Sequence, residues 1–509
     1  MSPDPRSSTV DDVLRRSAAR HPDRTALHFE DRRWTYVELD DAVTRAAGHL
    51  LSLGLAAGDR VATIGANSDA YLLAYLGCAR AGLVHVPVNY ALTGEELAYL
   101  LGSSGARLAL VDPALRAGVE QVLGDTVVET VLALHGEPGA VLERWRTGEV
   151  PELDVTVSDT DLVQLLFTSG TTSKPKGAMM THRALVHEYV SCVLALDAHE
   201  DDLPLHCMPL YHSAGMHVFL LPYLSVGATN HLMARPDVPE VLRQVEAHAI
   251  GALFLAPTVW VPLANHPDLA TRDLSSLRKA FYGASIMPVP VLHRLQAALP
   301  ELAFYNCFGQ SEIGPLACVL GPTEHAERPE SCGRTVLFVE ARVVDPATDL
   351  DVEAGTSGEL LYRSPQLCTG YWDNPEATAE AFRDGWFHSG DLVVRDAAGY
   401  ITVVDRIKDV INTGGVLVAS REVEDALYTH PAVAEVAVIA LPDDRWIEAV
   451  TAVVVLREGA HADASELIAH ARTTLASFKL PKSVHLVAEL PRNQSGKLLK
   501  RVLRDDLTS

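Results

Sequence analysis

The segment that most constrains this fold is a short apolar run that ends in a polar, glycine-containing loop. The run, Leu162 to Phe167, predicts a buried strand, and a helical pattern begins near Thr181. Between them lies the sequence Thr168-Ser169-Gly170-Thr171-Thr172-Ser173-Lys174-Pro175-Lys176-Gly177. A strand, a polar glycine loop and then a helix present backbone N–H groups to a phosphate. The loop is not a P-loop, because no Gly-Lys-Ser/Thr closes it, and buried elements on both sides disfavour a solvated linker.

The chain is too long for one hydrophobic core, since it has 509 residues. Its first part alternates helical and strand patterns, which predicts parallel sheets covered by helices. Shorter strands and turns from about Leu337 to Leu361 predict a small β-rich subdomain, and roughly the last hundred residues predict a compact α+β unit. The expected fold class is therefore α/β. It comprises a large N-terminal domain of helix-covered sheets with a small β-rich subdomain, followed by a small mobile α+β C-terminal domain.

The composition excludes several classes of protein. A net charge of −24 argues against nucleic acid or an anionic membrane surface as the main partner. The seven cysteines are scattered and contain no Cys-x-x-Cys pair, so neither a disulfide framework nor a zinc site is expected. The residues from Met1 to Arg6 lack the apolar core of a signal peptide, and the most apolar stretch, near Ile250 to Leu263, is too interrupted to span a bilayer. We expect a soluble, cytoplasmic protein without a transmembrane segment.

Together with motifs that follow in the same order, the loop resembles the adenylate-forming superfamily, which includes acyl-CoA synthetases, luciferases and the adenylation domains of peptide synthetases. The resemblance runs from about Val10 to Leu507, and Ser173 replaces the glycine that the family usually has in this loop. It implies that the loop binds the phosphates of ATP and that Thr168 also takes part in catalysis. The implied ATP-binding residues of the loop are Thr168, Ser169, Gly170, Thr171, Thr172, Lys174 and Lys176.

A second segment resembles the adenine-binding motif of this superfamily. It reads Tyr305-Asn306-Cys307-Phe308-Gly309-Gln310-Ser311-Glu312, with Phe308 and Ser311 where the family usually has tyrosine and threonine. The resemblance implies that Phe308 stacks on adenine, that Ser311 reaches the α-phosphate, and that Glu312 binds Mg²⁺, a hard cation that prefers carboxylate and phosphate oxygens. Asn306, Gly309 and Gln310 complete the implied nucleotide site. The octapeptide alone fits a loop with an aromatic core anchor equally well.

Two further motifs concern the ribose and the junction between the domains. In Trp386-Phe387-His388-Ser389-Gly390-Asp391-Leu392, an aspartate follows a predicted glycine turn. Taken alone, Asp391 would more often be a turn residue or a helix cap. The resemblance implies that Asp391 binds the ribose hydroxyls and that Arg406 contacts ribose or phosphate. It also places a hinge near Lys408, between an N-terminal domain of residues 1–405 and a C-terminal domain of residues 406–509.

The motif Leu490-Pro491-Arg492-Asn493-Gln494-Ser495-Gly496-Lys497-Leu498 resembles the loop that carries the adenylation lysine of the family, here Lys497. A carboxylate that attacks a phosphate brings two anions together. A positioned ammonium offsets this repulsion most strongly in the transition state.

The segment Pro209-Leu210-Tyr211-His212-Ser213-Ala214-Gly215 resembles a stretch that borders the acyl pocket. His212 is predicted to orient the substrate carboxylate or to gate the pocket, and a structural, hydrogen-bonded histidine is nearly as compatible. Trp260, Gly283 and Ala284 fall where the family builds its pocket walls. These surroundings are mostly apolar and contain no evident acidic anchor for a substrate amine, which disfavours an amino-acid-activating domain.

The predicted function is that of an AMP-forming acyl-CoA synthetase, which uses ATP, Mg²⁺ and CoA to convert a small-molecule carboxylic acid into its CoA thioester. One alternative is an enzyme that forms the adenylate but donates the acyl group to a carrier protein or partner ligase. Another is a non-catalytic nucleotide-binding relative. The presence of Lys497, Glu312 and Asp391 counts against this last alternative.

Overall fold

The computed structural model describes residues 6–168, 174–285, 287–414, 416–443, 445–492 and 498–508. The chain divides into two compact units. The described residues of the first are 6–168, 174–285, 287–340 and 363–385, and those of the second are 341–362 with the remaining described residues from 386 onwards. Within these ranges, the helices are all too short or too polar to cross a membrane.

Up to residue 340, the helices and strands follow in the order α1 (Asp11–Arg20), β1 (Thr25–Phe29), β2 (Arg32–Thr35), α2 (Tyr36–Ser52), β3 (Arg60–Ile64), α3 (Asp69–Ala81), β4 (Val84–Val88), α4 (Gly94–Ser104), β5 (Ala106–Val111), α5 (Arg116–Val122), β6 (Thr130–Ala133), α6 (Val141–Arg146), β7 (Leu162–Thr168), β8 (Lys176–Thr181), α7 (His182–Ala195), β9 (Pro204–His206), α8 (Leu221–Val226), β10 (Asn230–Leu232), α9 (Val238–His248), β11 (Ala252–Phe254), α10 (Pro257–Ala264), β12 (Lys279–Gly283), α11 (Val289–Ala298), β13 (Ala303–Phe308), β14 (Cys318–Leu320) and β15 (Arg334–Thr335).

The remaining elements are β16 (Glu340–Val344), β17 (Ser357–Arg363), α12 (Pro375–Ala381), β18 (Phe382–Arg383), β19 (Trp386–Arg395), β20 (Ile401–Arg406), β21 (Ile411–Thr413), β22 (Val416–Val418), α13 (Ser420–Tyr428), β23 (Val433–Asp443), β24 (Ile447–Leu456), α14 (Ala464–Ala471), β25 (Ser483–Leu486) and α15 (Lys500–Thr508).

Two mixed sheets form the frame of the first unit. One has the strand order β6-β5-β3-β4-β7-β8, and the other has the order β15-β14-β13-β12-β11-β9-β10-β1-β2. The central strands run parallel, whereas the pairs β7–β8, β1–β2 and β13–β14 are antiparallel. This arrangement confirms the predicted α/β class, in which buried parallel strands are covered by helices.

Helix α3 shows how the apolar sequence of the first unit determines its packing. Nearly every residue of α3 is buried, and the helix lies against α2, where a Cβ added at Gly77 would lie 2.8 Å from the Cβ of Ala46. The side chain of Ser68 accepts a hydrogen bond from the N–H of Tyr71 at the start of α3, and Gly82 ends it in the left-handed conformation. A helix that is apolar on all sides is stable only in such a buried position.

The second unit contains two smaller sheets. In one, β17 pairs with β19 and β19 pairs with β20, both antiparallel. The other has the order β22-β21-β24-β23, with β25 paired in parallel to β24. Alternate residues of β23 contact opposite faces: Val438 packs with α13 and α14, whereas Ile439 packs with Leu503 of α15. This arrangement confirms the predicted small α+β unit.

One strand was missed and one local prediction was wrong. The predicted phosphate-binding loop is followed by strand β8, which pairs with β7 from Leu162↔Thr181 to Thr168↔Lys176. Helix α7 then begins at His182 with Thr181 as its N-cap, which confirms the helix predicted near Thr181. The loop therefore joins two antiparallel strands, because the residues after it extend the sheet before the chain turns into a helix. In addition, Asp391 lies within β19 rather than after a turn, although Gly390 interrupts the regular strand geometry with a φ of 70°. The predicted domain boundary at residues 405/406 concerns a movement and stays a prediction.

Candidate active site

The carboxylate of Glu312 is the centre of a hydrogen-bonded cluster in the first unit. Glu312 lies in a single 3₁₀ turn, Ser311–Ile313, that follows β13, and Thr168 is the last residue of β7. The hydroxyl of Thr168 donates to Oε1 of Glu312 over 3.2 Å, and the hydroxyl of Tyr371 donates to the same oxygen over 3.1 Å. Only 7% of Glu312 is exposed. The two hydroxyls therefore fix the orientation of a nearly buried carboxylate.

The turn also meets the segment that was predicted to border the acyl pocket. The hydroxyls of Ser311 and Ser213 lie 2.8 Å apart. Ser213 follows His212 and precedes a π-helical segment, Ala214–Leu220. The N–H of His212 donates to the carbonyl of Pro209 over 3.1 Å. The structure thus places the predicted adenine segment and the predicted acyl segment side by side.

Two lysines of the predicted phosphate-binding loop lie over aromatic rings. The Nζ atom of Lys176 is 5.2 Å from the ring centroid of Tyr371, and that of Lys174 is 4.8 Å from the ring centroid of Tyr99. Such contacts favour a cation at a defined position. Lys176 and Glu312 therefore share Tyr371 as a neighbour. The predicted residues Ser169, Gly170, Thr171, Thr172 and Lys497 lie outside the described residues.

The other residues of the predicted adenine segment lie at the end of β13. The side-chain amide of Asn306 donates to the carbonyl of Ser331 over 2.9 Å, and Phe308 is half-buried. Gly309 has a φ of 158°, and a Cβ at this position would lie 1.9 Å from the carbonyl oxygen of Pro315. Only glycine fits there. Gln310 connects this glycine to the turn that carries Ser311.

The predicted pocket walls differ in how they are placed. Trp260 is fully buried, and its indole N–H donates to the carbonyl of Phe281 over 3.0 Å. A Cβ at Gly283 would lie 2.2 Å from the carbonyl oxygen of Cys307, whereas the next residue, Ala284, is exposed with a φ of 63°. Trp260 is thus part of the packed core, and its predicted contact with the acyl group stays a prediction.

A layer of buried polar residues lies behind the π-helical segment. His217 is hydrogen-bonded through Nε2 to the side-chain oxygen of Gln164 over 2.7 Å and through Nδ1 to the hydroxyl of Tyr189 over 2.9 Å. His85 lies 3.1 Å from the side-chain nitrogen of Gln164. Burial lowers the pKa of both histidines to about 3, so both are neutral at physiological pH. These hydrogen bonds connect β4, β7 and α7 to the segment that follows His212.

The predicted ribose residues form an ion pair in the second unit. The Nε atom of Arg406 is 2.7 Å from Oδ1 of Asp391, and Nη1 of Arg406 donates to the carbonyl of Ser389 over 3.0 Å. Asp391 and Arg406 are direct partners in the antiparallel register of β19 and β20. The side chain of Asp391 is 5% exposed and that of Arg406 is 35% exposed. The sheet register therefore brings together two residues that the sequence analysis assigned separately.

Sequence reasoning missed two residues of the Glu312 cluster. Tyr371 stands in Gly370-Tyr371-Trp372, which is compatible with an ordinary core anchor, and Ser213 is one hydroxyl in a segment noted for its histidine. Their contacts with Glu312 and Ser311 join parts of the chain that are far apart in sequence. A single sequence contains no signal for such contacts.

Comparison with known proteins identifies the family. The model of the AMP-binding enzyme family matches residues 14–372. The chain belongs to the AMP-binding enzyme family. The model of the C-terminal domain of AMP-binding enzymes matches residues 422–497. Both matches confirm the predicted resemblance.

Individual members of the AMP-binding enzyme family match over almost the whole chain. Feruloyl-CoA synthase of an Amycolatopsis species is 38% identical over 489 residues, which cover 96% of this chain and 97% of the relative. The fatty acid–[acyl-carrier-protein] ligase ScoC of Streptomyces coeruleorubidus is 33% identical and covers 96% of this chain and 94% of its own length. The crystal structure of ATP-bound MatB from Rhodopseudomonas palustris superposes with a TM-score of 0.91 at 29% identity and covers 99% of both chains.

Proposed function

We propose that this enzyme activates a carboxylic acid with ATP, giving an acyl-adenylate and pyrophosphate, and then transfers the acyl group to CoA. The observation that carries this function is the convergence of Thr168, Tyr371 and Glu312, with the Ser311–Ser213 pair beside them. These groups join the phosphate loop, the adenine segment and the acyl segment. An acid and ATP react only when such segments hold them in contact.

The residues around Glu312 fit a bound Mg²⁺. Glu312 supplies a nearly buried carboxylate, and the two hydroxyls that donate to Oε1 fix its direction. A hard cation prefers this kind of oxygen ligand together with substrate phosphates. When bound, Mg²⁺ supplies positive charge to the triphosphate. Glu312 would hold the ion, Thr168 and Tyr371 orient Glu312, and Ser311 offers a hydroxyl to the α-phosphate.

The remaining nucleotide contacts come from residues with opposite charges. Asp391 accepts the ribose hydroxyls, and its ion pair with Arg406 fixes its orientation. Lys174 and Lys176 attract the phosphates. Lys497 offsets the repulsion between the attacking carboxylate and the α-phosphate, which is the role that the family motif implies.

Aromatic side chains lie in and next to the segment that was predicted to border the acyl pocket, and they favour an apolar acid as the substrate. Phe219 of the π-helical segment stacks on Phe254 with 4.2 Å between ring centroids, and Phe281 lies 5.1 Å from Tyr305. Phe281 precedes the predicted wall residue Gly283 by two positions. The substrate we propose is a carboxylic acid with an aromatic or alicyclic body. The 38% identity to a feruloyl-CoA synthase supports this substrate class.

The second unit has groups that suit CoA. The guanidinium of Arg445 is 4.8 Å from the ring centroid of Trp446, and Nζ of Lys482 is 5.1 Å from the same ring. A half-exposed indole next to two cations matches the adenine and phosphates of CoA. The similarity to ScoC supports a second candidate, in which a carrier protein receives the acyl group.

One experiment separates these functions. Purified enzyme is given ATP and Mg²⁺ with a panel of hydroxycinnamic, benzoic, alicyclic and straight-chain acids, and pyrophosphate and thioester are both quantified. Each acid is assayed without a thiol, with CoA and with a phosphopantetheinylated carrier protein. Pyrophosphate and CoA thioester from aromatic acids are expected. Thioester on the carrier protein alone supports the second candidate, and no pyrophosphate with any acid would mean that the chain is not an adenylating enzyme.

A further inference from the structure

A buried carboxyl group that the proposed chemistry does not use lies directly behind the Glu312 turn. Glu188, on α7, has no exposed surface. Its Oε1 accepts a hydrogen bond from the backbone N–H of Leu316 over 2.8 Å and another from the thiol of Cys192 over 3.3 Å. Its Oε2 accepts one from the side-chain amide of Gln366. Glu188 thus reaches the chain just beyond the turn that carries Ser311 and Glu312.

Gln366 holds the same turn from a second side. It too has no exposed surface, and its side-chain nitrogen lies 3.3 Å from the carbonyl oxygen of Ile313 and 3.1 Å from that of Leu316. Its side-chain oxygen accepts a hydrogen bond from the hydroxyl of Ser191 over 2.6 Å. Gln366 therefore contacts both the last residue of the turn and the chain that follows it, and α7 supports Gln366 through Ser191.

Gly314, which lies between Ile313 and Leu316, leaves room for the carboxyl group of Glu188. Gly314 has a φ of 109°, and a Cβ at this position would lie 2.8 Å from Oε2 of Glu188. A side chain would be strained there and would collide with the carboxyl group of Glu188. On the other side of the turn, the carbonyl of Glu312 accepts a hydrogen bond from the N–H of Cys368 over 2.8 Å. The turn is consequently fixed at its beginning and its end.

Burying the carboxyl group of Glu188 in the core costs free energy. Burial raises its pKa to about 8, which reflects the cost of placing this carboxyl group away from water. An apolar side chain of the same volume would often stabilise a fold equally well. An apolar side chain, however, cannot accept hydrogen bonds from the N–H of Leu316 and the side-chain amide of Gln366. The contacts, rather than the packing volume, distinguish Glu188 from an apolar residue.

We propose that Glu188 and Gln366 are positioning residues that hold the Ser311–Leu316 segment so that the Ser311 hydroxyl and the Glu312 carboxylate face the nucleotide phosphates. This inference rests on the proposed function of Glu312 and Ser311. It assigns the two buried residues a role in nucleotide binding, although neither touches the nucleotide. Its consequence is that nucleotide affinity and the exchange of amide hydrogens in this segment change together.

The test uses the full-length enzyme with Glu188→Gln, Glu188→Ala and a matched control, Tyr189→Phe. Tyr189 is the next residue of α7, is also buried, and donates its hydroxyl to His217 rather than to the turn. Glu188→Ala removes all three hydrogen bonds that Glu188 accepts, whereas Glu188→Gln retains one oxygen acceptor. Three quantities are measured: amide hydrogen exchange of residues 311–317, the affinity for AMP by calorimetry in EDTA, and KM for ATP against kcat in pyrophosphate release.

The exchange of the Leu316 amide is expected to accelerate about tenfold in Glu188→Ala, with AMP affinity about tenfold weaker and KM for ATP raised more than kcat is lowered. Glu188→Gln should show smaller changes of the same kind, and Tyr189→Phe none. If Glu188→Ala loses thermal stability but retains parental exchange in residues 311–317 and parental AMP affinity, Glu188 is merely structural and the proposal is wrong. A parent enzyme without pyrophosphate release would overturn the proposed function, whereas the exchange data would still decide whether Glu188 holds the turn.

Discussion

Asp405 accepts two hydrogen bonds from Ser420, one from the backbone N–H over 2.6 Å and one from the hydroxyl over 2.8 Å. Ser420 is the first residue of α13, and the side chain of the preceding residue, Ala419, forms no capping hydrogen bond. Asp405 therefore satisfies the N-terminal end of a helix that begins fifteen residues later, where an anion is favourable. Asp405 precedes the proposed hinge at Lys408, and Ser420 follows it. A rotation about Lys408 would have to break this contact.

The first prediction concerns this contact. In Asp405→Asn, a neutral amide replaces a charged acceptor, which weakens the hydrogen bonds to the first turn of α13. We expect exchange of the Ser420 and Arg421 amides to accelerate about tenfold, measured by hydrogen-exchange mass spectrometry. The control is Asp409→Asn. Asp409 pairs with Arg504 over 2.6 Å, and both residues follow Lys408, so this variant should leave those amides unchanged. Equal exchange in parent and Asp405→Asn would contradict the prediction.

The second prediction tests the hinge. Lys408 lies in the 3₁₀ turn Ile407–Asp409. In Lys408→Pro, the ring fixes φ near −65° and restricts Ile407 as well, so rotation at this point is blocked. A single burst of pyrophosphate followed by very slow acyl-CoA formation, even at high CoA, is expected in rapid-quench assays if the chain is held in the adenylating arrangement. Lys408→Ala is the control and should turn over. Acyl-CoA formation at the parental rate in Lys408→Pro would rule out a hinge at Lys408.

The third prediction concerns Lys497. Its replacement by alanine should slow adenylation by about 10²–10³, because a positioned charge at the transition state is lost. Thioester formation from supplied acyl-adenylate should be spared, since transfer to a thiol involves no attack on phosphate. Both half-reactions are measured separately in single-turnover assays. Arg501→Ala removes an exposed cation of α15 and should alter neither rate. Adenylation at the parental rate in Lys497→Ala would show that another residue has this role.

The fourth prediction concerns the ribose contact. Asp391→Ala should weaken ATP binding about tenfold or more, measured by calorimetry, because two ribose hydroxyls lose their acceptor. The variant also leaves Arg406 without its carboxylate partner. Glu353→Ala, which removes an exposed carboxylate of the same unit, is the control and should bind ATP like the parent. An unchanged dissociation constant in Asp391→Ala would refute the ribose assignment.

The fifth prediction concerns acid stability. Burial lowers the pKa of His217 to about 3 in the folded protein, whereas its ordinary pKa in the unfolded chain is about 6.5. Between these two pH values the imidazole of His217 binds a proton only in the unfolded state. Stability therefore falls as the pH falls through this window, by about 2 kcal/mol between roughly pH 6.5 and pH 5. His217→Gln removes this contribution, and its loss of stability upon acidification, measured by urea unfolding, should be smaller than the parental loss by about this amount. His293 is exposed, so His293→Gln is the control and should lose as much stability upon acidification as the parent.

Much of the fold follows from local patterns in the sequence. The apolar run Leu162 to Phe167 predicted a buried strand, and the structure has β7, Leu162–Thr168, at this position. Alternation of helices and strands also predicted the sheets of the first unit, and the motifs predicted the family. Each of these inferences depends on neighbouring residues, because local conformation and one-sided burial leave a periodic pattern in the chain.

The tertiary structure decided how these motifs combine. The extension of β7 into a hairpin with β8 depends on pairing across the predicted phosphate-binding loop, and the Asp391–Arg406 pair depends on the register of β19 and β20. Glu188 is an ordinary helical glutamate in the sequence. Only the packing of α7 against the Ser311–Ile313 turn makes it a buried acceptor for Leu316, 128 residues away. A contact at such a separation is set by the fold of the whole unit, so a single sequence leaves no local pattern from which to predict it.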